Sequence, residues 1–494
     1  MIKTDVAIIG AGVNGCAIAR ELSRYKLDIT VIDRCSDVCE GTSKANSGII
    51  HSGYDAKSGT LMAKLNVRGN LLMHTLSKEL DIPFKKNGSL VLCFSQEDMG
   101  KLEELKERGE KNKVPGLKIL SRDEVLKKEP NISDNVYAAL WAPTGSIACP
   151  FIMTVAFAEN AIKNGAKFMM STLVTDVSGK ENDGYVIKTS KGEEIEADIV
   201  INAAGVYADA IHNMVSKNKI KITPRKGEYI LYDKNVGNYV TSTLFQLPTA
   251  LGKGTLVTPT VHGNLMTGPT AEDIRDKEGT DTTAAGTALL KKKAVLSVKE
   301  GYGRNPITEF AGLRATLTEA CELNNFEDEY LGCGDFMIGE VKDAPGFIDV
   351  AGMGSPGLSC APATAEYVRE LVGKIKELKE KEDFNPVRKG IKAVNGATEE
   401  EIEALIKEDP RYANIICRCE RVSEAEIVQA IHSILPATTL DAIKRRTRAG
   451  MGRCQSGFCN PRVVEILARE LGVDESEINK AQDGSYYVLS KDAN

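Results

Sequence analysis

The sequence predicts an α/β fold with three parts: a domain built on a parallel sheet, a sheet-rich domain that interrupts it, and a small helical domain at the C-terminus. A strand–turn–helix–strand pattern fills the first 33 residues. Segments rich in β-branched residues, glycine and proline separate the later α/β stretches. Helical patterns with four closely spaced cysteines occupy the chain beyond about residue 400. These three observations together predict the architecture.

The N-terminal pattern is the most specific local signal. Residues 5–9 are continuously apolar after Asp5, which is typical of a buried parallel strand. Residues 16–22 have helical spacing, and residues 29–32 form a second apolar strand that ends at Asp33. A β–turn–α–β unit of about 30 residues is the start of a Rossmann-type domain.

Three glycines and one acid in this unit predict a dinucleotide site. Gly10 permits the tight turn, Gly12 lets backbone N–H groups approach a diphosphate, and Gly15 allows close packing of helix on strand. Asp33 is expected to accept a hydrogen bond from a ribose 2′-OH. The fingerprint alone leaves both FAD and NAD open as the ligand.

Later elements support an interrupted domain. Residues 84–94 and 227–268 contain short strands punctuated by glycine and proline, whereas residues 198–202 form another buried strand. Residues 361–379 predict an amphipathic helix. A Lys/Glu run at residues 374–383 is a solvated helix end or linker.

Composition limits the possible partners. The 63 basic and 69 acidic residues give a net charge of −6, which argues against nucleic acid or an anionic membrane as a partner. No apolar run approaches the roughly 18 residues of a membrane span. The N-terminus leads straight into a strand without a signal peptide, so we expect a soluble, cytoplasmic protein without direct membrane insertion.

Four of the twelve cysteines form two close pairs, C-x-C and C-x4-C, separated by 34 residues: Cys417, Cys419, Cys454 and Cys459. Such pairs can hold a [2Fe–2S] cluster or a structural zinc, or can be reduced structural thiols. Nearby cations are expected to lower the pKa of these thiols and offset the charge of a cluster: Arg418, Arg421, Lys444, Arg445, Arg446, Arg448 and Arg453. Scattered cysteines such as Cys16 and Cys360 are interpreted as packing residues.

Five segments, in order, resemble the D-amino-acid-oxidase-type FAD-dependent oxidoreductases. They are residues 41–53 (GTSKANSGIIHSG), 201–205 (INAAG), 224–229 (PRKGEY), 311–314 (AGLR) and 352–358 (GMGSPGL). The resemblance covers roughly residues 3–380 and implies FAD as the cofactor. The residues that it and the fingerprint place against FAD are Gly10, Gly12, Gly15, Asp33, Thr42, Ser43, Asn46, Ser47, Ala204, Gly205, Gly354, Gly357 and Leu358.

The last of these segments also has a physical rationale. A glycine-rich turn that opens a helix directs N–H donors and the positive end of the helix dipole at the group above it. That field favours the negative charge of a reduced flavin.

The resemblance implies three domains. The Rossmann-type FAD-binding domain comprises residues 1–83, 145–225 and 335–380, and the sheet-rich substrate domain comprises residues 84–144 and 226–334. Residues 381–410 form a linker. Residues 411–494 resemble the bacterioferritin-associated-ferredoxin-like [2Fe–2S] module, which gives electrons a route to an acceptor protein.

Nearly the whole chain is similar to anaerobic glycerol-3-phosphate dehydrogenases. The resemblance implies oxidation of glycerol 3-phosphate, a small anionic metabolite, to glycerone phosphate by hydride transfer to flavin. L-2-hydroxyglutarate, or an amino acid of the proline or hydroxyproline type, is an alternative substrate. A subunit that binds FAD and transfers electrons without oxidising a metabolite is an alternative of another class.

Four residues are candidates for the substrate site. Arg314, in the Gly-x-Arg strand, is expected to bind the anionic group of the substrate, since a guanidinium binds phosphate or carboxylate through two donors. His51 is a candidate base or flavin contact, and Lys253 and His262 are candidate substrate contacts.

Overall fold

The computed structural model describes residues 2–180, 184–247, 254–303, 306–319, 323–324 and 334–488. The helices are α1 Val13–Leu22, α2 Leu61–Glu79, α3 Met99–Lys111, α4 Arg122–Lys128, α5 Pro150–Lys163, α6 Ala208–Val215, α7 Ala284–Ser297, α8 Gly357–Ile375, α9 Glu399–Glu408, α10 Glu424–Ile431, α11 Leu440–Thr447 and α12 Asn460–Leu471.

The first strands are β1 Ile2–Ile9, β2 Ile29–Ile32, β3 Ile49–Ile50, β4 Phe84–Lys85, β5 Ser89–Cys93, β6 Lys118–Ser121, β7 Ala138–Ala142, β8 Ser146–Ala148, β9 Lys167–Met169, β10 Val174–Gly179, β11 Tyr185–Thr189 and β12 Glu194–Asn202. The later strands are β13 Lys221–Tyr232, β14 Thr243–Gln246, β15 Leu256–Pro259, β16 Leu265–Gly268, β17 Glu272–Asp273, β18 Pro306–Glu319, β19 Leu323–Asn324, β20 Met337–Val341, β21 Ala344–Ala351, β22 Ile415–Cys417 and β23 Val422–Ser423.

One nine-stranded sheet carries the N-terminal unit. Its central strands β9, β2, β1, β12 and β21 are mutually parallel, and β20 joins the edge of β21 in the antiparallel direction. Helices α1, α5 and α8 pack together over a core that includes Ile8, Ile18, Phe157 and Val368, all almost fully buried. The α/β fold class predicted from the sequence is therefore confirmed.

A second nine-stranded sheet follows the order β17-β13-β16-β15-β14-β5-β7-β6, with β18 paired along β13. The long antiparallel pair β13–β18 places Arg225 opposite Arg314 and Gly227 opposite Gly312. This register brings the Gly-x-Arg strand to the boundary between the two sheets.

Local sequence explains where several helices begin. Ser121 and Glu124 form the predicted capping box at the start of α4, and Pro150 opens α5, where its missing N–H costs no hydrogen bond. The predicted helix at residues 361–379 instead runs from Gly357 to Ile375. The glycine-rich turn thus supplies the first residue of this helix. Cys360 therefore lies inside the helix and is buried in the core, as is Cys16.

The C-terminal helices α10, α11 and α12 pack around a separate core that includes Ile427, Ile443, Val464 and Leu467. The segment predicted as a linker contains helix α9. Thr398 and Glu401 form a capping box at its start, and the helix packs against Tyr412 and Ala425. We therefore propose the predicted domain division with α9 added to the C-terminal domain.

Candidate active site

A cavity of about 1120 Å³ lies at the carboxyl ends of β1, β2 and β12. Its walls include Gly10, Asp33 and Ala203 from the parallel sheet, and Tyr229 and Met266 from the second sheet. Ligands in open α/β sheets bind at this edge, where loops and helix N-termini leave backbone groups free.

The glycine turn after β1 has no room for side chains. Gly10 has φ +110°, and a Cβ atom there would lie 2.4 Å from the carbonyl oxygen of Ala203. A Cβ atom on Gly15 would lie 1.9 Å from the carbonyl oxygen of Gly10. Gly12 precedes α1 without a side-chain cap. The turn therefore presents bare backbone and a helix N-terminus to the cavity, which fits the diphosphate of a dinucleotide.

Asp33 has two roles in this structure. Its Oδ2 accepts a hydrogen bond from Ala11 N at 2.6 Å and its Oδ1 accepts one from Cys35 N at 2.8 Å. Burial raises the pKa of Asp33, while these backbone donors oppose the shift. The carboxylate thus fixes the glycine turn while still lining the cavity beside the expected ribose.

The segment 42–48 closes over the glycine turn. Ser43 Oγ accepts a hydrogen bond from Val13 N at 2.9 Å, and Thr42 Oγ1 donates to Leu313 O at 2.5 Å. Asn46 holds the turn by donating to Ser43 O and accepting from Gly48 N. Its amide therefore stabilises the turn, and both Asn46 and Ser47 line the cavity wall.

The remaining predicted flavin contacts line the other parts of the same cavity: Ala204, Gly205, Gly354, Gly357 and Leu358. Gly357 is the first residue of α8, so the helix N-terminus opens onto the cavity as expected. The structure thus brings together the residues that the sequence assigned to FAD, and their bare turns and two helix N-termini fit that cofactor.

Arg314 is a largely buried cation in the cavity wall. Its Nη2 donates to Thr270 O at 2.9 Å, and its buried Nε has no hydrogen-bond partner among the described residues. Arg225, opposite it on β13, forms an ion pair with Asp273 instead, and no carboxylate of the described chain pairs with Arg314. Burial lowers the pKa of Arg314. A buried guanidinium without an anionic partner is suited to bind an anion.

The other substrate candidates have different surroundings. His51 lines the cavity with its ring 5.6 Å from that of Phe245, and its backbone N–H donates to Ser359 Oγ. His262 also lines the cavity, where burial and the charges of Arg448 and Lys234 lower its pKa to about 3. His262 is therefore neutral at pH 7. Lys253 lies outside the described residues.

The four C-terminal cysteines come together as two pairs. Cys419 Sγ lies 3.7 Å from Cys454 Sγ, and Cys417 is hydrogen-bonded to Cys459. Two thiolates on one tetrahedral metal with bonds of about 2.3 Å are about 3.8 Å apart, so the separation of Cys419 and Cys454 fits two ligands of one metal. Within the described ranges no three ligand side chains surround a single metal position. The two pairs match a dinuclear cluster.

The predicted electrostatic role of the nearby cations is wrong for Arg445 and Arg446. Both arginines form ion pairs with Asp37, far along the chain. The pKa of Cys417 falls to about 6 because Cys459 and the backbone of Gly450 and Glu420 donate hydrogen bonds to it, against the effect of burial. The Cys459 thiol and the backbone donors, rather than arginines, therefore favour this thiolate.

The C-terminal domain also forms part of the cavity wall, which sequence reasoning missed. Its contributing residues are Asp441, Lys444, Arg445, Arg448, Met451, Gln455 and Gln482. Met451 and Gln455 belong to the loop that carries Cys454, so the thiol cluster lies one loop away from the cavity. The basic run at residues 444–448 could have indicated that this domain contacts the cavity. From the sequence alone, however, these cations were expected to act on the nearby cysteines.

Family comparisons agree with this geometry. A family model described as FAD dependent oxidoreductase matches residues 5–371, and a BFD-like [2Fe-2S] binding domain matches residues 415–469. The chain belongs to the FAD dependent oxidoreductase family. It is an FAD-dependent oxidoreductase whose second cofactor is a [2Fe–2S] cluster, and no described helix is long and apolar enough to cross a bilayer.

Individual relatives extend over most of the chain. It is 52% identical over 485 residues to a glycerol 3-phosphate dehydrogenase of Caloramator mitchellensis, covering 98% of both chains. It is 33% identical to a glycerol 3-phosphate oxidase of Mycoplasma pneumoniae, over 75% of this chain and 94% of that protein. The dithionite-reduced, FAD-bound L-α-glycerophosphate oxidase of that organism superposes with a TM-score of 0.72 at 32% identity, covering 78% of this chain and 98% of the other.

Proposed function

We propose that this flavoenzyme is a dehydrogenase that oxidises glycerol 3-phosphate to glycerone phosphate. FAD, when bound, accepts a hydride from the substrate carbon, and the [2Fe–2S] cluster passes the electrons to an acceptor protein. The observation that carries the substrate class is Arg314, a partly buried guanidinium with a buried, unpartnered Nε and no carboxylate partner among the described residues. The relative matched over 98% of both chains acts, by its name, on glycerol 3-phosphate.

Arg314 holds the anionic end of the substrate in this proposal. Its Nη2 is already fixed by Thr270 O, so the guanidinium plane is oriented before the substrate arrives. Preorganised donors lose less entropy when they bind a phosphate. We also propose Lys253 as a second contact to the substrate. His262, in the cavity wall, is proposed as a neutral hydrogen-bond donor or acceptor to it.

We propose that the His51 imidazole accepts the proton of the substrate hydroxyl group. Its ring lines the cavity, its backbone carbonyl accepts hydrogen bonds from Asn66 and Asn70, and its N–H is bound by Ser359. These contacts fix the backbone at His51, and the tilted contact with Phe245 limits rotation of the ring. A positioned imidazole is a suitable base at neutral pH.

The electron exit is supported by the surface around Cys419. Cys419 is exposed, and Phe458, which precedes Cys459 in the sequence, is 85% exposed. Exposed arginines lie near them in sequence: Arg418, Arg421, Arg453 and Arg462. An apolar residue among cations is typical of a docking surface for an acidic protein, so we propose an acidic one-electron carrier as the acceptor.

A cytoplasmic location is part of the same proposal. Five cysteines outside the C-terminal quartet are free and buried: Cys16, Cys35, Cys39, Cys93 and Cys149. Free thiols are typical of a reducing compartment.

The test is an anaerobic substrate panel that follows bleaching of the flavin absorbance. Glycerol 3-phosphate, L-2-hydroxyglutarate, proline and hydroxyproline are compared with the wild-type protein and with Arg314→Ala. We expect bleaching by glycerol 3-phosphate alone, and its loss in Arg314→Ala with FAD still bound. Bleaching by one of the other substrates would replace the proposed metabolite. If none of the four compounds bleaches the flavin of the wild-type protein, and Arg314→Ala behaves in the same way, the protein would be identified as an electron-transfer subunit.

A further inference from the structure

Helix α11 of the C-terminal domain lies against the segment that leads from β2 to the turn at residues 42–44. Arg445 Nη2 donates to Asp37 Oδ2 at 2.7 Å and lies 2.6 Å from Glu40 Oε1. Arg446 donates to both oxygens of Asp37. All four side chains are almost fully buried. Helix α11 is therefore fixed over one end of the flavin cavity.

Lys444 precedes these two arginines and lines the cavity itself. In the described part of the chain no carboxylate lies within ion-pair distance of its Nζ, and Asp441, one turn earlier, pairs with Lys480 instead. Burial lowers the pKa of Lys444, and the charges of Lys480, Arg445 and Lys44 lower it further, against the opposing effect of Asp441. A half-buried cation among cations is costly unless an anion occupies the cavity beside it.

The position of that anion follows from the turn at residues 42–44. Ser43 Oγ accepts a hydrogen bond from Val13 N at the N-terminus of α1, where a dinucleotide diphosphate binds. Lys44 is the next residue, and its charge is one of those felt by Lys444. Glu40 lies 2.6 Å from Arg445 and 2.7 Å from Lys44, so the helix that carries Lys444 lies beside this turn, and both lysines line the cavity there. The diphosphate is the only ionised part of oxidised FAD at neutral pH.

We propose that Lys444 binds the FAD diphosphate, so that the C-terminal [2Fe–2S] domain supplies part of the flavin site. The arginine–Asp37 contacts hold α11 in place, and Lys444 extends from it to the phosphate oxygens. FAD is then contacted from both sides of the domain boundary, and loading of FAD stabilises the association of the two domains. This proposal depends on bound FAD and not on which metabolite the enzyme oxidises.

The experiment compares full-length wild type, Lys444→Gln and the control Lys480→Gln, each stripped of FAD and titrated with FAD, ADP or riboflavin. One charge-assisted hydrogen bond is worth about tenfold in affinity, so we expect Kd for FAD and ADP to rise about tenfold in Lys444→Gln. Riboflavin, which lacks the diphosphate, should bind unchanged. Lys480→Gln should bind all three within about twofold of wild type.

Thermal unfolding separates this role from a purely structural one. Without FAD, Lys444→Gln should melt at or above the wild-type temperature because a poorly compensated cation is removed; with saturating FAD it should melt lower. Lys444→Arg should retain most of the FAD affinity. Unchanged FAD and ADP affinities would overturn the proposal, as would an equal loss for riboflavin or equal destabilisation with and without FAD. The titrations contain no substrate, so their outcome is independent of the proposed reaction.

Discussion

Arg446 binds Asp37 through two parallel hydrogen bonds, from Nη1 to Oδ2 at 2.7 Å and from Nη2 to Oδ1 at 2.8 Å. The two residues are 409 positions apart. Arg445 donates to the same carboxylate at 2.7 Å. One buried acid therefore joins the C-terminal domain to the segment that follows β2.

Asp37→Asn should destabilise the protein strongly. The change leaves two buried guanidinium groups without their shared carboxylate, and breaking a buried ion pair costs about 3–5 kcal/mol. Urea unfolding, followed by circular dichroism, measures the difference. The control is Glu408→Gln, which removes an exposed pair with Lys392 and should cost less than about 1 kcal/mol. Equal effects of the two variants would contradict a stabilising role for the Asp37 cluster.

The same cluster predicts a pH dependence. The two arginines hold the pKa of Asp37 well below its ordinary value of 3.8, despite the opposing effect of burial. Since the folded-state pKa is depressed, the stabilisation is complete above about pH 4 and is lost as the pH falls through the folded-state pKa. The free energy of unfolding should therefore differ most between wild type and Asp37→Asn at pH 5–7. The difference should shrink below about pH 4, and a constant difference down to pH 2 would contradict the assignment.

Gly312→Ala should impair FAD binding without unfolding the protein. A Cβ atom at Gly312 would lie 1.9 Å from the carbonyl oxygen of Ala45, so the 42–48 segment would be displaced and Thr42 would lose Leu313 O. The FAD content of the purified protein, measured by absorbance after denaturation, should fall several-fold. Gly179→Ala is the control, because its Cβ atom would point into open space. Normal flavin content in Gly312→Ala would argue against this packing.

Cys419→Ser should remove the iron–sulfur cluster while leaving the flavin in place. Cys419 pairs with Cys454 in the C-terminal domain, and serine is a poor ligand for iron in such clusters. Iron content and the visible spectrum after anaerobic purification measure the loss. The matched control is Cys93→Ser, whose thiol donates to Ser95 O, a bond that a hydroxyl can also make. Full iron content in Cys419→Ser would exclude Cys419 as a ligand.

Reversing charge around the cluster should slow electron transfer to an acidic carrier. With Arg418→Glu and Arg421→Glu combined, reduction of the flavin by substrate should keep its wild-type rate, while reduction of an acidic ferredoxin should slow at least tenfold at low salt. The wild-type rate should fall as salt screens the attraction. Lys407→Glu, on α9 away from the cysteines, is the control. An unchanged ferredoxin rate would place the docking surface elsewhere.

The elements that local spacing specifies were predictable from the sequence. Gly10, Gly12 and Gly15 lie within one turn, and the strand before and helix after them follow from apolar patterning. The position of Arg314 came from family resemblance, since nothing local distinguishes a buried arginine from an exposed one. The contacts of Asp37 with Arg445 and Arg446 could not be predicted, because a pairing across 409 residues leaves no periodic trace. The place of Lys444 in the cavity wall was missed for the same reason.

The unequal exposure of the four cysteines has a consequence for handling the enzyme. Cys417 and Cys459 are buried, whereas Cys419 is exposed. We therefore expect oxygen and chelators to reach the cluster from the side of Cys419, and decay in air to begin there. In the proposed electron route this is also the face through which electrons leave, so a bound carrier protein would protect the cluster from bleaching.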